Sequence, residues 1–371
     1  MYQQQKLSFR DKLAKNYINA VGWSTKKKLV LIESDDWGSI RMSSKSVYDK
    51  LVAEGAGEGS YFDKYDSLES KEDVELLFDV LSSVKDSKGH VAIMQPFAVV
   101  ANPNYEAIKQ NGASEYVYET FIETYKRAQH TEHTFDVIQE GMHSGLWSPQ
   151  FHGREHVQVY RWVRSIKEGH RLSTLQFGMH SFHSGCTPKN VLFYNAFDYE
   201  TSEELGKIKN IVSEGIDLFE QIYKETPVAM CPPCGYSNDD LIGYIEGKGL
   251  LLHPGQYLYP NNKGGHQTNN KLWGAQGQKY LRFYRRNCKF EPARDHNIDW
   301  VDRCMTEMKI AFRWGKPAVI DTHRVNFIGS INSENRDYTL KEMKRLLQAI
   351  VKQWPDVEFV NSKELYNEMT R

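Results

Sequence analysis

The chain has 371 residues, of which 47 are basic and 48 acidic, so the formal net charge of -1 leaves no electrostatic footprint for nucleic acid or an anionic membrane surface. No apolar run approaches the length of a membrane span, and residues 1–23 lack an apolar core of signal-peptide length; a cytoplasmic location is expected. Five cysteines, an odd count, read as reduced thiols, while 40% hydrophobic and 12% aromatic residues supply a large core with aromatic faces to spare for stacking on sugars.

The first strong signal is Lys28–Trp37, KLVLIESDDW. Its apolar run, residues 29–32, is too short for a buried helix and suits a strand buried on both faces. Two carboxylates follow at once. Neighbours on an extended backbone point opposite ways, so Asp35 and Asp36 share a pocket only where the strand ends and turns, which Gly38 and Ser39 predict. Such a pair repels unless something cationic holds one member. A bound metal does so and leaves the second carboxylate free as a base. The competing reading is a cap for the helix that starts near Ser43.

Residues 44–53 read as a short helix, 54–59 as a glycine-rich loop, and 71–84 as an amphipathic helix with Val74, Leu77, Phe78 and Leu81 at helical spacing. Residues 90–100 predict a second strand, after which Asn102 is placed to look into the same pocket. Helices are expected over 114–129, 134–140 and 153–167, the last beginning just after His152; residues 171–199 carry no clear pattern. A long helix over 201–224 precedes a short strand, 228–230, that runs into CPPCGY. A helix over 239–247 and a strand from Leu250 follow. Residues 255–278, rich in Gly, Asn and Gln, exceed the length of an ordinary loop and predict a lid or substrate loop. A strand over 280–284, a helix over 299–312, a buried strand over 317–322 ending at His323, a helix over 340–353 and a last strand and helix complete the chain. Strands alternating with helices predict a parallel sheet in one domain, 1–371. At this length, and with no glycine-rich dinucleotide or P-loop signature, a distorted (β/α) barrel is expected rather than an open doubly wound sheet.

Several groups could carry chemistry. His152 and His156, in HGREH, are spaced to stack on one face of a helix as metal ligands do; His180 and His183 form a competing pair with weaker surroundings. The same HGREH fits the H-x-x-E-H signature of inverted zinc peptidases, with Glu155 as base. His323 ends a buried strand, where it is either catalytic or a hydrogen-bonded core histidine. Asp299, beside Trp300, is a carboxylate suited to orienting an imidazole. Trp37 is a candidate sugar contact or a packing residue. Cys231 and Cys234 flank two prolines with no second cysteine pair and no thioredoxin-like pattern around them, which argues against redox chemistry.

In this order, strand-Asp-Asp, H-x-x-x-H, a Pro-Pro-x-Gly turn, Asp-Trp and an apolar strand ending in His, the motifs resemble the polysaccharide deacetylases of the nodulation type. The resemblance spans residues 29–323 as ordered motifs. It implies a distorted barrel of roughly seven strands and a metal-dependent carbohydrate deacetylase, with zinc expected first and cobalt, nickel or manganese as alternatives. It also implies an acetylated sugar as the substrate, whether polysaccharide, oligosaccharide or precursor. In this family Asp36, His152 and His156 would bind the metal, Asp35 would be the base, and His323 the acid with Asp299 in support. The Cys234 backbone N–H would meet the oxyanion, with Trp37 and Asn102 near substrate. The chain departs from the pattern at four places. Cys231 stands where the family has the arginine that orients the base, Cys234 where it has tyrosine, Gly153 where it has serine or threonine, and SDDW replaces Thr-Phe-Asp-Asp. These departures keep a third reading open, a carbohydrate-binding barrel without turnover.

Overall fold

The strands are β1 (Lys28–Trp37), β2 (Met94–Ala98), β3 (Ala101–Pro103), β4 (Tyr118–Thr120), β5 (Gln150–Phe151), β6 (Leu252–Pro254), β7 (Gln256–Pro260), β8 (His266–Asn270), β9 (Arg282–Tyr284), β10 (Cys288–Lys289), β11 (Ala318–His323) and β12 (Val357–Phe359). The computed structural model describes residues 7–189, 191–260 and 265–371. It is a mixed α/β fold around a parallel sheet in the order β10-β11-β1-β2-β5, with β12 also paired to β1. Single parallel bridges, Phe151 to Met230 and Ala229 to Leu252, carry the order on towards β6, which pairs with β9. Among the described residues no ladder joins β9 to β10, so the pairing does not close the expected ring.

β1 lies at the centre because its residues are apolar enough to be covered on both faces. Leu29, Val30, Leu31 and Ile32 are buried, each contributing about 1.5–3 kcal/mol. Flanking helices turn apolar stripes onto the sheet. In Lys71–Ser82 the buried apolar positions are Val74, Leu77, Phe78 and Leu81, and a capping box between Ser70 and the buried Asp73 fixes the start. The long helix Ser202–Tyr223 is capped by Thr201 and ends at Lys224 in a left-handed conformation.

Several elements differ from expectation. The helix expected over 114–129 begins only at Phe121, because Tyr118–Thr120 pairs with β3 and Thr120 forms a capping box with Glu123. The patternless 171–199 contains a helix, Arg171–Gly178, and the short turn Ser184–Cys186. The predicted lid over 255–278 is not structureless: β7 and β8 form an antiparallel hairpin, and residues 261–264 of that stretch lie outside the described ones. The last long helix starts at Ser333, capped by Asn332, rather than near residue 340. Among the described residues no helix is long and apolar enough to cross a membrane.

Candidate active site

The parallel strands gather their C-terminal ends on one side, where such sheets build sites from side chains that the strands themselves cannot bury. Asp35 ends the ladder of β1 directly opposite His323 on β11. Asp36 would then point to the other face. It does not, because the register to β2 shifts between Ser34 and Trp37 and Asp36 takes φ +78°. Aspartate tolerates that left-handed geometry better than most residues, and the bulge turns both carboxylates into one cavity. The strand therefore runs through Trp37 instead of stopping at the acids, and the bulge does what a turn was expected to do. The cavity, about 270 Å³, is also lined by Arg41, Phe62, His152, His156, Cys231, Cys234, Arg286, Asp321 and His323.

Asp36 Oδ1 lies 3.4 Å from His152 Nε2 and 3.1 Å from His156 Nε2. Ligands about 2.1 Å from a common ion sit roughly 3.4 Å apart in a tetrahedral arrangement and closer in an octahedral one. His152 Nδ1 lies 2.7 Å from the Cys231 carbonyl, which can only accept, so the ring's proton is on Nδ1. In the neutral ring this leaves Nε2 as the free ligand atom, and it is buried with no hydrogen-bond partner among the described residues. That is the orientation metal-binding imidazoles receive from their surroundings. Burial lowers the pKa of His156 against the pull of Asp36, favouring the neutral, ligating form. The other Asp36 oxygen faces Arg41 Nη2 at 3.6 Å. Burial opposes its charge, but His156 and Arg41 hold the Asp36 carboxyl well below the usual range. The residues present therefore fit a divalent cation.

The two histidines converge without a helix. Residues 153–158 are irregular and the helix begins at Val159, with Gln158 as its cap. Gly153 has φ +119°, and a Cβ there would stand 3.3 Å from the Glu155 carbonyl oxygen and from Phe197, which accounts for glycine where a hydroxyl residue was expected. Glu155 is buried with both oxygens held by Arg154, at 2.6 and 2.9 Å, and does not line the cavity. His180 is exposed and stacks on Tyr105, while His183 caps the turn that follows it.

Asp35 is gripped by a guanidinium that the sequence did not announce. Arg286, just past β9, donates from Nη1 to Asp35 Oδ2 at 2.6 Å and from Nη2 to Oδ1 at 2.7 Å. Its Nε donates to Glu33 at 2.6 Å, and Nη1 also reaches Asp321 at 3.2 Å. Burial opposes the Asp35 charge, yet Arg286, with His323, brings its pKa down to about 2. Glu33, fully buried beneath, is pushed up to about 7 by desolvation, partly offset by Arg286 and by the Tyr284 hydroxyl, which donates at 2.8 Å. A guanidinium thus reaches Asp35 from just past β9. Cys231 itself is a buried thiol whose pKa burial raises far above normal, and it donates to Asp35 Oδ2 at 3.7 Å. Asp35, His152 and Cys231 also cluster closely enough for a metal, but a protonated thiol and a carboxylate already gripped by arginine make the poorer donor set.

His323 stands across from Asp35, Nε2 to Oδ2 4.0 Å, and its Nδ1 is 2.7 Å from Glu291 Oε2. Burial works against the imidazolium, but the Glu291 carboxylate, with Asp35 and Asp36 behind it, carries the His323 pKa up to about 10. Glu291, not Asp299, orients this ring. Asp299 caps the helix Trp300–Arg313 and pairs with Arg345 at 2.6 Å, outside the cavity. Trp37 is in the core, its ring edge-on to Trp147 at 4.6 Å and its Nε1 donating to Ser34. Asn102 is buried and ties down the chain after Asp36, donating to the Gly38 carbonyl and accepting from the Ile40 amide, both at 2.8 Å. Cys234 sits at the cavity rim, exposed, with φ +52° in the Pro233–Gly235 turn.

No family model matches the sequence, and no curated protein matches it. Several solved structures resemble the fold loosely. An allantoinase aligns over 93% of this chain and 91% of its own, at 11% identity and a TM-score of 0.42. A chain assigned as a polysaccharide deacetylase from Mycobacterium smegmatis covers 95% and 93%, at 12% identity and 0.42. One assigned as a glycoside hydrolase/deacetylase from Parabacteroides distasonis covers 94% and 72%, at 10% identity and 0.48. Likeness of this order fixes neither reaction nor substrate.

Proposed function

We propose that this chain is a metal-dependent hydrolase of the polysaccharide-deacetylase kind, removing an acetyl group from an acetylated sugar in a polysaccharide, oligosaccharide or precursor. One observation carries the reading: Asp36, His152 and His156 turn donor atoms onto one point while Asp35 and His323 face each other beside it. Asp36 Oδ1 and the two Nε2 atoms would hold a divalent ion, zinc first among the candidates. Once bound, it supplies an acidified water and a Lewis acid for the acyl carbonyl. Asp35, kept ionised and aimed by Arg286, takes the proton of the attacking water. The Cys234 amide at the rim is the protein donor for the carbonyl oxygen as it turns negative. His323, kept cationic by Glu291, gives its proton to the departing sugar nitrogen. The products are acetate and a free amine.

The peptidase reading loses its base, since Arg154 occupies both Glu155 oxygens. Acetate release from N-acetylated oligosaccharides by the zinc-loaded chain, abolished by chelation and restored by added metal, tests the proposal. Sugar binding without acetate release sinks it in favour of a binding protein, and cleavage of peptides would revive the zinc peptidase.

The acid has its own test. Glu291→Gln removes the largest charge that raises His323, so the alkaline limb of the pH-rate profile is expected to move down from near pH 10, with Asp35 and Asp36 retaining part of the rise. In the wild type the same pair stabilises the fold at low pH, and that contribution is lost as pH rises through about 10. An unmoved limb would remove His323 from the proton-donor role.

A further inference from the structure

We infer, resting on the deacetylase reading above, that a second cavity beside the first is a subsite for an anionic saccharide unit next to the one that is deacylated, with Arg294 recognising its charge. This cavity, about 280 Å³, is lined by Tyr61, Lys64, Tyr65, Arg294, Asp295 and His296. The same two segments wall both cavities. On the short helix Tyr61–Tyr65, Phe62 faces the catalytic cavity and packs edge-on to His323 at 5.1 Å, while Tyr61, Lys64 and Tyr65 line the second. The rings of Tyr61 and Phe62 touch, with centroids 4.3 Å apart. On the other wall Glu291 holds His323, and the turn Pro292–Arg294 that follows it delivers Arg294 to the second cavity. A ligand seated against His323 therefore has its next unit directed past Phe62 to Tyr61. Each cavity alone falls just short of the ~300 Å³ at which small-molecule sites begin, and together they suit a ligand of more than one ring.

Of the charges in the second cavity, that of Lys64 is paired within the protein. Lys64 pairs with Glu58 at 2.7 Å and His296 Nε2 meets Asn335 Oδ1 at 3.1 Å, while the exposed Asp295 accepts from the Asn297 amide at 2.9 Å and keeps its charge, facing a bound unit from beside Arg294. Arg294 is exposed, and among the described residues its guanidinium has no ion pair. Two tyrosine rings with one uncommitted guanidinium form a stacking face and a planar fork for an oxyanion. A neutral sugar uses the rings and leaves the cation idle. A carboxylate, sulfate or phosphate on the sugar uses both.

The test is calorimetric titration of the full chain, chelated so that binding is read without turnover, with three oligosaccharides of equal length. One contains only N-acetylhexosamine, one alternates it with hexuronate, and one carries sulfate. At least one acidic probe is expected to bind about fivefold tighter than the neutral one, the scale of an exposed ion pair, with the gap closing as salt is added. Which acidic probe gains identifies the anion. Arg294→Gln is expected to erase the preference and Arg294→Glu to reverse it. Equal affinity for all three probes, or a preference that survives both variants, overturns the subsite. Acetate release by the metal-loaded chain is read separately: an Arg294-dependent preference without any acetate release sinks the reaction and leaves the subsite standing.

Discussion

Asp36→Asn is expected to abolish binding of a divalent ion at the proposed Asp36–His152–His156 site and to lower turnover by about a thousandfold or more. Asparagine keeps the shape of aspartate and, like it, tolerates the left-handed φ of +78° found at this position. The variant should therefore fold, so that what is lost is the charged ligand and not the bulge. A divalent ion contributes several kcal/mol to stabilising the developing charge of an acyl transfer, and about 4 kcal/mol is roughly a thousandfold. His152→Gln should behave in the same way, because it removes the lone pair that the Cys231 carbonyl aims at the centre. Glu155→Gln serves as the contrast: its carboxylate is tied to Arg154 away from the cavity, so metal content should stay near that of the wild type. Elemental analysis of the three variants decides. Metal that persists in Asp36→Asn but follows Glu155 would overturn the ligand assignment.

What the sequence revealed of the site was local, and what it hid was set by long-range pairing. The apolar run of β1, its two acids, and the histidine that ends β11 were legible because strand burial leaves a direct signature. How adjacent acids come to share a face was not. It depends on a register shift against β2, a property of two strands together. The HGREH histidines were found, but through a helical argument that fails, since Gly153 at φ +119° holds the segment out of the helix. Asp299 was misplaced for an instructive reason. An aspartate just before an amphipathic run, with Asp302 three residues on, is an N-cap pattern, and that local meaning outweighed its position in an ordered set of motifs. Glu291 and Arg286 carried no motif at all. The available signal was a cation at the end of the strand RFYRR, placed where parallel strands collect their polar ends. The fold fared similarly: the parallel α/β class followed from alternation, whereas ring closure depends on pairings between short strands that no periodicity encodes.

Arg286→Met is expected to cost about 3–5 kcal/mol of stability and about a hundredfold in kcat, for one physical reason. The guanidinium is nearly buried and answers three carboxylates, Glu33, Asp35 and Asp321, two of which have almost no access to water. Removing one partner of a buried ionic cluster leaves the others uncompensated, which accounts for the size of the stability loss. Asp35 gains stability from being ionised in the fold. That gain is present above pH 3.8 and is lost as pH falls through about 2, so the deficit of the variant should be full at neutral pH and narrow in acid. Without its two anchoring hydrogen bonds Asp35 is also free to turn from the attacking water, and misplaced general bases cost about a hundredfold or more. Arg286→Lys separates the two effects. An ammonium restores charge but not the fork that holds both oxygens of Asp35, so much of the stability should return while kcat stays low. Thermal denaturation across pH together with steady-state rates measures both. If Arg286→Met melts like the wild type and turns over at the wild-type rate, Arg286 is not the clamp that holds Asp35 in place.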